Sequence, residues 1–512
     1  MSKIFPGILI LKDNKTYGKK NDKLLYKCVP NDTSLSQCLI PFKIKNIGFS
    51  KIFINMYVLF TYIESDNKII NGKIETIIGD VNILDNFYEY QLHCYNLKYS
   101  LQNFQKNISN IFDINTEDNI INLIKTKYSN LEDRTDKKIW NIFTIDPENS
   151  KDFDDGFSII NTDINTICVS IYISNVTIWI DILNLWNSFT DRVSTIYLPS
   201  KKIPMIPNKL SDWICSLHEN TNRFAFTMDV FIKNNEIVEI KFVNCIINVF
   251  KNYRYEEPDL LNNENYKKLF DTIKNLYHIK YNDIIDSHDL VSYLMILMNH
   301  NCAIEMVNNN SGIFRTAIIK NKDDVIIPSE IGKIIKMWTS ASGNYIDGSN
   351  IKDKNEITHD VLKLDSYLHI TSPIRRLVDV LNMIKLQQIK GLINFSENVN
   401  IFYNKWLNNL EFLNKSMKSI KKVQSNCILL EMCINNPDIL KIEYEGYMFE
   451  KEIKNEKNIN KFKYTVFIPD LKIFSNILSI SQFENFTIGK FKIFLFNDEE
   501  KIKNKVRIHL IQ

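Results

Sequence analysis

The chain has 512 residues, 45% of them hydrophobic and 24% charged, which excludes a disordered or collagen-like protein and leaves room for about two to four domains. Its 63 basic and 60 acidic residues leave a net charge of only +3. This excludes a uniformly basic nucleic-acid coat but not a basic groove within a neutral whole. Nine scattered cysteines form no C-x-x-C pair, against a zinc ribbon or redox motif. The opening "MSKIFPGILILKDNKTYGKK" lacks a signal-peptide pattern, and no apolar run reaches the roughly 18 residues of a membrane span. The expectation is an intracellular, cytoplasmic protein without a membrane.

Taken in order, the first 125 residues read as β-rich. "LLYKCVP", "KIFINMYVLFTYI", "IINGKIETIIGDV" and "YEYQLHCYNL" are β-branched or aromatic runs separated by Asn, Asp and Gly, as in small OB-type barrels. "INTEDNIINLIKTKYSNLEDRTDKK" predicts a helix and linker. From 130 to 436, strands such as "VSIYIS" and "FAFTMDVFI" mix with long helices. "DLVSYLMILMNHNCAIEMV" carries Leu290, Leu294, Leu297 and Met298 at helical spacing behind an expected Asp289 cap. Residues 400–434 predict one long helix or a kinked pair, and 437–512 returns to strands that fit one more barrel. The fold class is therefore α+β, with a central mixed domain between terminal barrels.

The densest chemical signal is "FTIDPENSKDFDDGFSI", with Asp146, Asp152, Asp154 and Asp155 directly after an apolar run. Four like charges this close repel one another unless a cation or hydrogen-bond donors compensate. Hard oxygen donors without His or Cys suit Mg²⁺, or Mn²⁺. A solvated acidic loop, a calcium loop and a D-x-D phosphate or sugar-nucleotide site compete with that reading. The calcium loop fits poorly, because its sixth and twelfth positions would be Lys151 and Phe157.

The second signal is "SYLHITSPIRRLVDVLNMIKLQ", over 200 residues downstream. Ser372 is expected as an N-cap and Pro373 as the first helical residue, placing Arg375 and Arg376 in the first turn. Cations are disfavoured there, so the pair is either held in salt bridges or set to grip a phosphate. Carboxylates plus a phosphate clamp suit metal-assisted phosphodiester hydrolysis.

"TIDPENSKDFDDGFSI" closely resembles the T-[IV]-D-x5-D-x-D-D signature of the RNase II/RNase R (RNB) family, and "SYLHITSPIRRLVDVL" resembles its Y-x-H-x-T-S-P-I-R-R-x-x-D segment. Between them, "STIYLPSKKIPMIPNKLSDWICSL" is similar to the family's Y-L-P-x-x-x-I-P-M-L-P-x-x-L-S-x-x-x-C-S-L stretch. The resemblance covers about 130–390, with terminal segments similar to cold-shock and RNA-binding barrels. It implies a central RNB catalytic domain (130–436), a β-sheet with long helices around an RNA channel. OB-fold barrels flank it, an N-terminal region (1–125) and a C-terminal barrel (437–512). It implies a monomeric 3′→5′ exoribonuclease that cleaves single-stranded RNA to 5′-mononucleotides by two-metal-ion hydrolysis. The implied metal residues are Asp146, Asp152, Asp154 and Asp155, with Asp154 and Arg375 catalytic and Tyr197, Tyr255 and Arg376 contacting RNA. Ser292 and Tyr293 stand where the family often carries an acidic residue linked to the terminal ribose, which leaves sugar discrimination and product length open. The competing class is a catalytically silent RNA-binding regulator on the same fold.

Overall fold

A computed structural model describes residues 3–44, 53–63, 70–276, 284–317, 343–351, 353–360, 362–456, 459–484, 486–496 and 505–511. The chain divides into two compact units. The first comprises 1–98, 196–203 and 418–512, and the second 99–195 and 204–417. These do not follow the three consecutive segments expected from sequence. The helices Gln102–Phe112 and Glu117–Lys127 belong to the second unit, and a division point falls inside the helix Leu410–Asn435.

In the first unit, β1 (Phe5–Leu9), β2 (Lys23–Pro30), β3 (Cys38–Phe42), β4 (Met56–Ile63) and β5 (Asn71–Asp80) close in the order β1-β4-β5-β3-β2-β1. All pairs are antiparallel except β3–β5, and this is the five-stranded Greek-key barrel of an OB-fold. Leu9, Tyr26, Cys28, Ile40, Val58 and Phe60 fill its interior. The run "YEYQLHCYNL" departs from expectation, because residues Leu84–Cys94 form helix α1. Its aromatics find partners on the barrel: Tyr90 stacks on Tyr57 at 4.2 Å and 19°. That packing overrides the β-propensity of the aromatic residues. The strands Glu443–Glu456, Ile459–Ile468, Ile473–Ser479, Thr487–Leu495 and Val506–Leu510 form a second antiparallel sheet with the third, second, first, fourth and fifth strands adjacent in that order. The two edge strands approach each other, so this sheet also curls.

The second unit opens with helices α2 (Gln102–Phe112) and α3 (Glu117–Lys127). Its centre is a six-stranded sheet of β6 (Glu132–Arg134), β7 (Ile142–Asp146), β8 (Asp155–Asn161), β9 (Thr166–Ser174), β10 (Asn222–Lys233) and β11 (Glu236–Arg254), in the order β10-β9-β8-β7-β11-β6. The long β11 pairs antiparallel with β10 through 236–248 and parallel with β7 through 249–254. One strand thus carries the sheet round from one edge to the other. Val169, Ile171 and Ile173 project from β9 into a core shared with Leu269 and Ile273 of α4 (Glu264–Lys274) and with Leu290, Leu294, Met298, Cys302 and Met306 of α5 (Ser287–Asn308). The N-cap of α5 is Asp286, which accepts from the Asp289 amide, and not Asp289 itself. By length and apolarity α5 could cross a membrane, contrary to the expectation of no such stretch. Its buried positions pack against the sheet, as in a core helix.

The alternate residues of β9 serve a different purpose. Ser170 donates to Asp229 at 2.6 Å, and Arg134 grips both Asp229 oxygens at 2.8 and 2.6 Å. Both charged side chains are 3–4% exposed, Glu132 also accepts from Arg134 at 2.6 Å, and breaking a buried pair by removing one member costs about 3–5 kcal/mol. Asp229→Ala should therefore lower unfolding free energy by about that amount in a denaturant titration. A loss below about 1 kcal/mol would show that the ion pair does not hold the sheet together.

Candidate active site

The aspartate cluster is built by two neighbouring strands and the loop between them. The apolar run Ile142–Ile145 is buried, so β7 is fixed and delivers Asp146 at its end. Residues 147–154 then loop back, with Ser150 donating to the Pro147 carbonyl at 3.0 Å. The loop is pinned in the middle, where the Ser216 hydroxyl accepts from the Phe153 amide at 2.9 Å and donates to the Lys151 carbonyl at 3.0 Å. Asp155 opens β8, and Gly156 follows it. A Cβ at Gly156 would lie 3.3 Å from the Phe143 carbonyl oxygen, so glycine permits the close approach of β7 and β8.

This packing takes carboxylates out of water. Asp154 is 4% exposed, and burial pushes its carboxyl up to about 7, against the downward pull of Arg375 and the Ile374 amide. Burial also pushes Asp155 up to about 7, again with Arg375 pulling down. Asp146 lies well above the ordinary carboxylate range, first through burial and then through the charge on Asp155. Among the described residues its Oδ2 is buried and meets no hydrogen-bond partner. Among the described residues no three His, Cys, Asp or Glu side chains converge into a ready-made metal cage.

The raised carboxyls also set a pH dependence. Between about pH 4 and about pH 7 the folded chain holds protons that the unfolded chain has released, so metal-free stability falls as pH rises through that window. Asp155→Asn removes one of these charges. It should raise the melting temperature at pH 8 in EDTA by about 2–4 °C and flatten the dependence. An unchanged or lower melting temperature would contradict the charge-repulsion account.

The arginine segment differs from its sequence reading. Helix α6 spans Leu377–Ile389, and Arg376, in extended conformation, is its N-cap. Ser372 instead heads a tight turn and accepts from the Arg375 and Arg376 amides at 3.3 and 3.0 Å. The helix starts late because the backbone here pairs with 193–195. Thr195 donates to the Arg375 carbonyl at 2.9 Å and Leu377 to the Val193 carbonyl at 3.0 Å. The two arginines then diverge. Arg376 turns inward onto buried Asp379 at 2.8 Å, and the same Asp379 oxygen accepts from the Ser372 amide. The Arg375 side chain stays 43% exposed and donates to the Ser372 hydroxyl at 2.9 Å and to Asp154 Oδ2 at 3.3 Å.

The turn and the cluster meet at Asp154. The Ile374 amide donates to Asp154 Oδ1 at 2.9 Å, across 220 residues of sequence. A family model for the RNB domain matches residues 134–282, which hold all four aspartates and Tyr255.

Residues 134–282 are thus matched as an RNB domain.

The chain is also similar to curated ribonucleases R. Ribonuclease R of Mycoplasmopsis pulmonis is 26% identical over 74% of this chain and 60% of its own length. Ribonuclease R of Chlamydia pneumoniae is 22% identical over 66% and 62%. The chain thus spans only about 60% of these relatives. Among solved structures, Mycoplasma genitalium RNase R in complex with ribose-methylated single-stranded RNA shares the RNB fold, with a TM-score of 0.66 at 16% identity over 99% of this chain and 89% of that one. Yeast Ssd1, a pseudonuclease, shares it with a TM-score of 0.61 at 14% identity over 93% and 65%.

Around the RNB aspartates, Tyr255 follows the end of β11, and its amide donates to the Asp146 carbonyl at 3.1 Å. Burial raises its phenol, and so do the charges on Asp155 and Asp146. Tyr197 lies in the other unit, 39% exposed, on a short hairpin where it pairs with Lys202. Sequence reasoning missed the Ile374 amide, because a backbone donor carries no residue signature. It also gave no role to Asp379, although the family's R-R-x-x-D pattern contains it. Ser292 is exposed and Tyr293 half-buried on α5.

Proposed function

We propose that this protein is a divalent-cation-dependent 3′→5′ exoribonuclease acting inside the cell on single-stranded RNA, as a monomer, and releasing 5′-mononucleotides. The observation that carries this reading is the junction at Asp154, where the carboxylate cluster is hydrogen-bonded to the turn bearing the exposed Arg375 guanidinium. Chemistry of one kind without the other would fit many sites; joined, they fit phosphodiester cleavage.

Asp146, Asp152, Asp154 and Asp155 would hold Mg²⁺, or Mn²⁺, at the end of β7 and the start of β8. When bound, such an ion supplies a water of lowered pKa and neutralises charge on the phosphate. Arg375 grips the scissile phosphate, its planar fork suited to two oxygens at once. Arg376, tied to Asp379, holds the turn from which Arg375 reaches and sets the position of the RNA-contacting segment. Tyr255 acts on the terminal nucleotide beside Asp146, and Tyr197 offers a ring for base stacking, which tolerates any sequence. The barrels of the first unit supply single-strand binding of the OB type.

The test is product identity. Uniformly labelled RNA incubated with Mg²⁺ should release nucleoside 5′-monophosphates, and EDTA should stop the release. Nucleoside 3′-phosphates, or no release, would overturn the reading. RNA retention without cleavage would instead support the silent regulator.

A further inference from the structure

Phe153 lies between two of the clustered aspartates, and three consecutive residues of a distant segment hold it at three points. Its amide donates to the Ser216 hydroxyl at 2.9 Å, and its carbonyl accepts from the Leu217 amide at 3.0 Å. Its ring meets that of His218 edge to face, with centroids 5.2 Å apart and planes at 86°. His218 is itself fixed. Its Nε2 donates to the Asp212 carbonyl at 2.7 Å, and its ring lies 5.5 Å from that of Trp213. The Trp213 indole in turn donates to Glu117 of α3 at 2.9 Å, and the other Glu117 oxygen accepts from Arg223 at 2.7 Å. Arg223 is buried and donates to the Ser216 carbonyl at 2.9 Å. Two routes thus run from Glu117 to Phe153, one through Trp213 and His218, the other through Arg223 and Ser216.

We propose that His218 is a positioning residue for the aspartate loop: by bracing the ring of Phe153 it sets the angle at which Asp152 and Asp154 are presented to a cation and to the scissile phosphate. The two backbone bonds fix where the peptide groups of residue 153 lie, and the ring contact fixes how the loop tilts about them. The next residue is Asp154, bonded to Ile374 and Arg375, so a tilt at 153 is felt at the junction of carboxylate and clamp. Small displacements of that kind have large effects on rate. The proposal rests on the exoribonuclease reading above.

The experiment pairs Mn²⁺ binding without RNA, followed by electron paramagnetic resonance of the free ion, with steady-state hydrolysis of single-stranded RNA. His218→Ala should weaken Mn²⁺ binding roughly 10-fold and lower kcat by at least about as much, at little-changed KM. His218→Phe, which keeps a ring but loses the bond to Asp212, should return both to within about twofold of wild type. Phe153→Leu should reproduce the His218→Ala losses, and the double variant should be no worse than either single one. Wild-type binding and kcat in His218→Ala, no recovery in His218→Phe, or losses that multiply in the double variant would overturn the proposal. If His218→Ala does not fold, Phe153→Leu carries the test, and wild-type binding and kcat in it would overturn the proposal equally. A wild-type protein that binds Mn²⁺ but leaves RNA intact would sink the functional reading, and the proposal would stand or fall on the binding measurements. Cleavage without Mn²⁺ binding would sink the proposal alone, and neither binding nor cleavage would sink both.

Discussion

Asp154→Asn should slow hydrolysis of single-stranded RNA at least about a thousandfold, the several kcal/mol that cation-centred charge stabilisation contributes, while RNA still binds. Asp154 is the cluster carboxylate joined to both parts of the clamp, the Ile374 amide and the Arg375 guanidinium. Asparagine keeps the volume and retains an oxygen to accept from Ile374, so the turn should hold its place. The lost charge removes a cation ligand, and the new amide group presents a donor to Arg375 where an acceptor stood. Single-turnover rates at saturating enzyme, paired with filter binding, separate the two effects. A variant retaining a tenth of wild-type rate would show that Asp154 is not at the reacting centre.

Arg375→Ala should lower the rate at least about a hundredfold, the usual scale for removing one donor aimed at developing charge, and Arg375→Lys should not restore it. A lysine offers a point charge but not the planar fork that meets two phosphate oxygens together. The substitution also has a second effect with a definite sign. Arg375 pulls the Asp154 carboxyl down, against burial, to about 7. Without it the carboxyl should titrate higher, so the acidic limb of the pH–rate profile should move to more alkaline pH. An unmoved limb would mean that the 3.3 Å contact between the partly exposed Arg375 and Asp154 is screened in solution. A fully active lysine variant would reduce the clamp to its charge.

The candidate site was legible where its chemistry would demand particular side chains at fixed spacing. The four aspartates and the arginine pair stood out in the sequence because like charges are rarely concentrated without a reason, and the fold brings Asp154 and Arg375 together. The N-terminal barrel was legible from short β-branched and aromatic runs separated by Asn, Asp and Gly. The late start of α6 was not, because Ser372-Pro373 is a sound capping pair by local rules and only the backbone pairing with 193–195 keeps Arg376 extended. The helical state of 84–94 was hidden for a similar reason: aromatic residues read as strand until Tyr57 and Tyr90 are seen to stack. His218 carried no signal at all. It lies just past the Cys215-Ser216-Leu217 stretch and is unremarkable until the fold brings it against the ring of Phe153.

The most direct test of the central claim is a time course on a short, 5′-labelled single-stranded RNA with Mg²⁺, run beside the same reaction in EDTA. The account predicts a ladder that shortens from the 3′ end with Mg²⁺ and full-length RNA with EDTA. Intact RNA under both conditions, shifted on a native gel by the wild-type protein, would contradict it and leave a binding protein on an RNB fold.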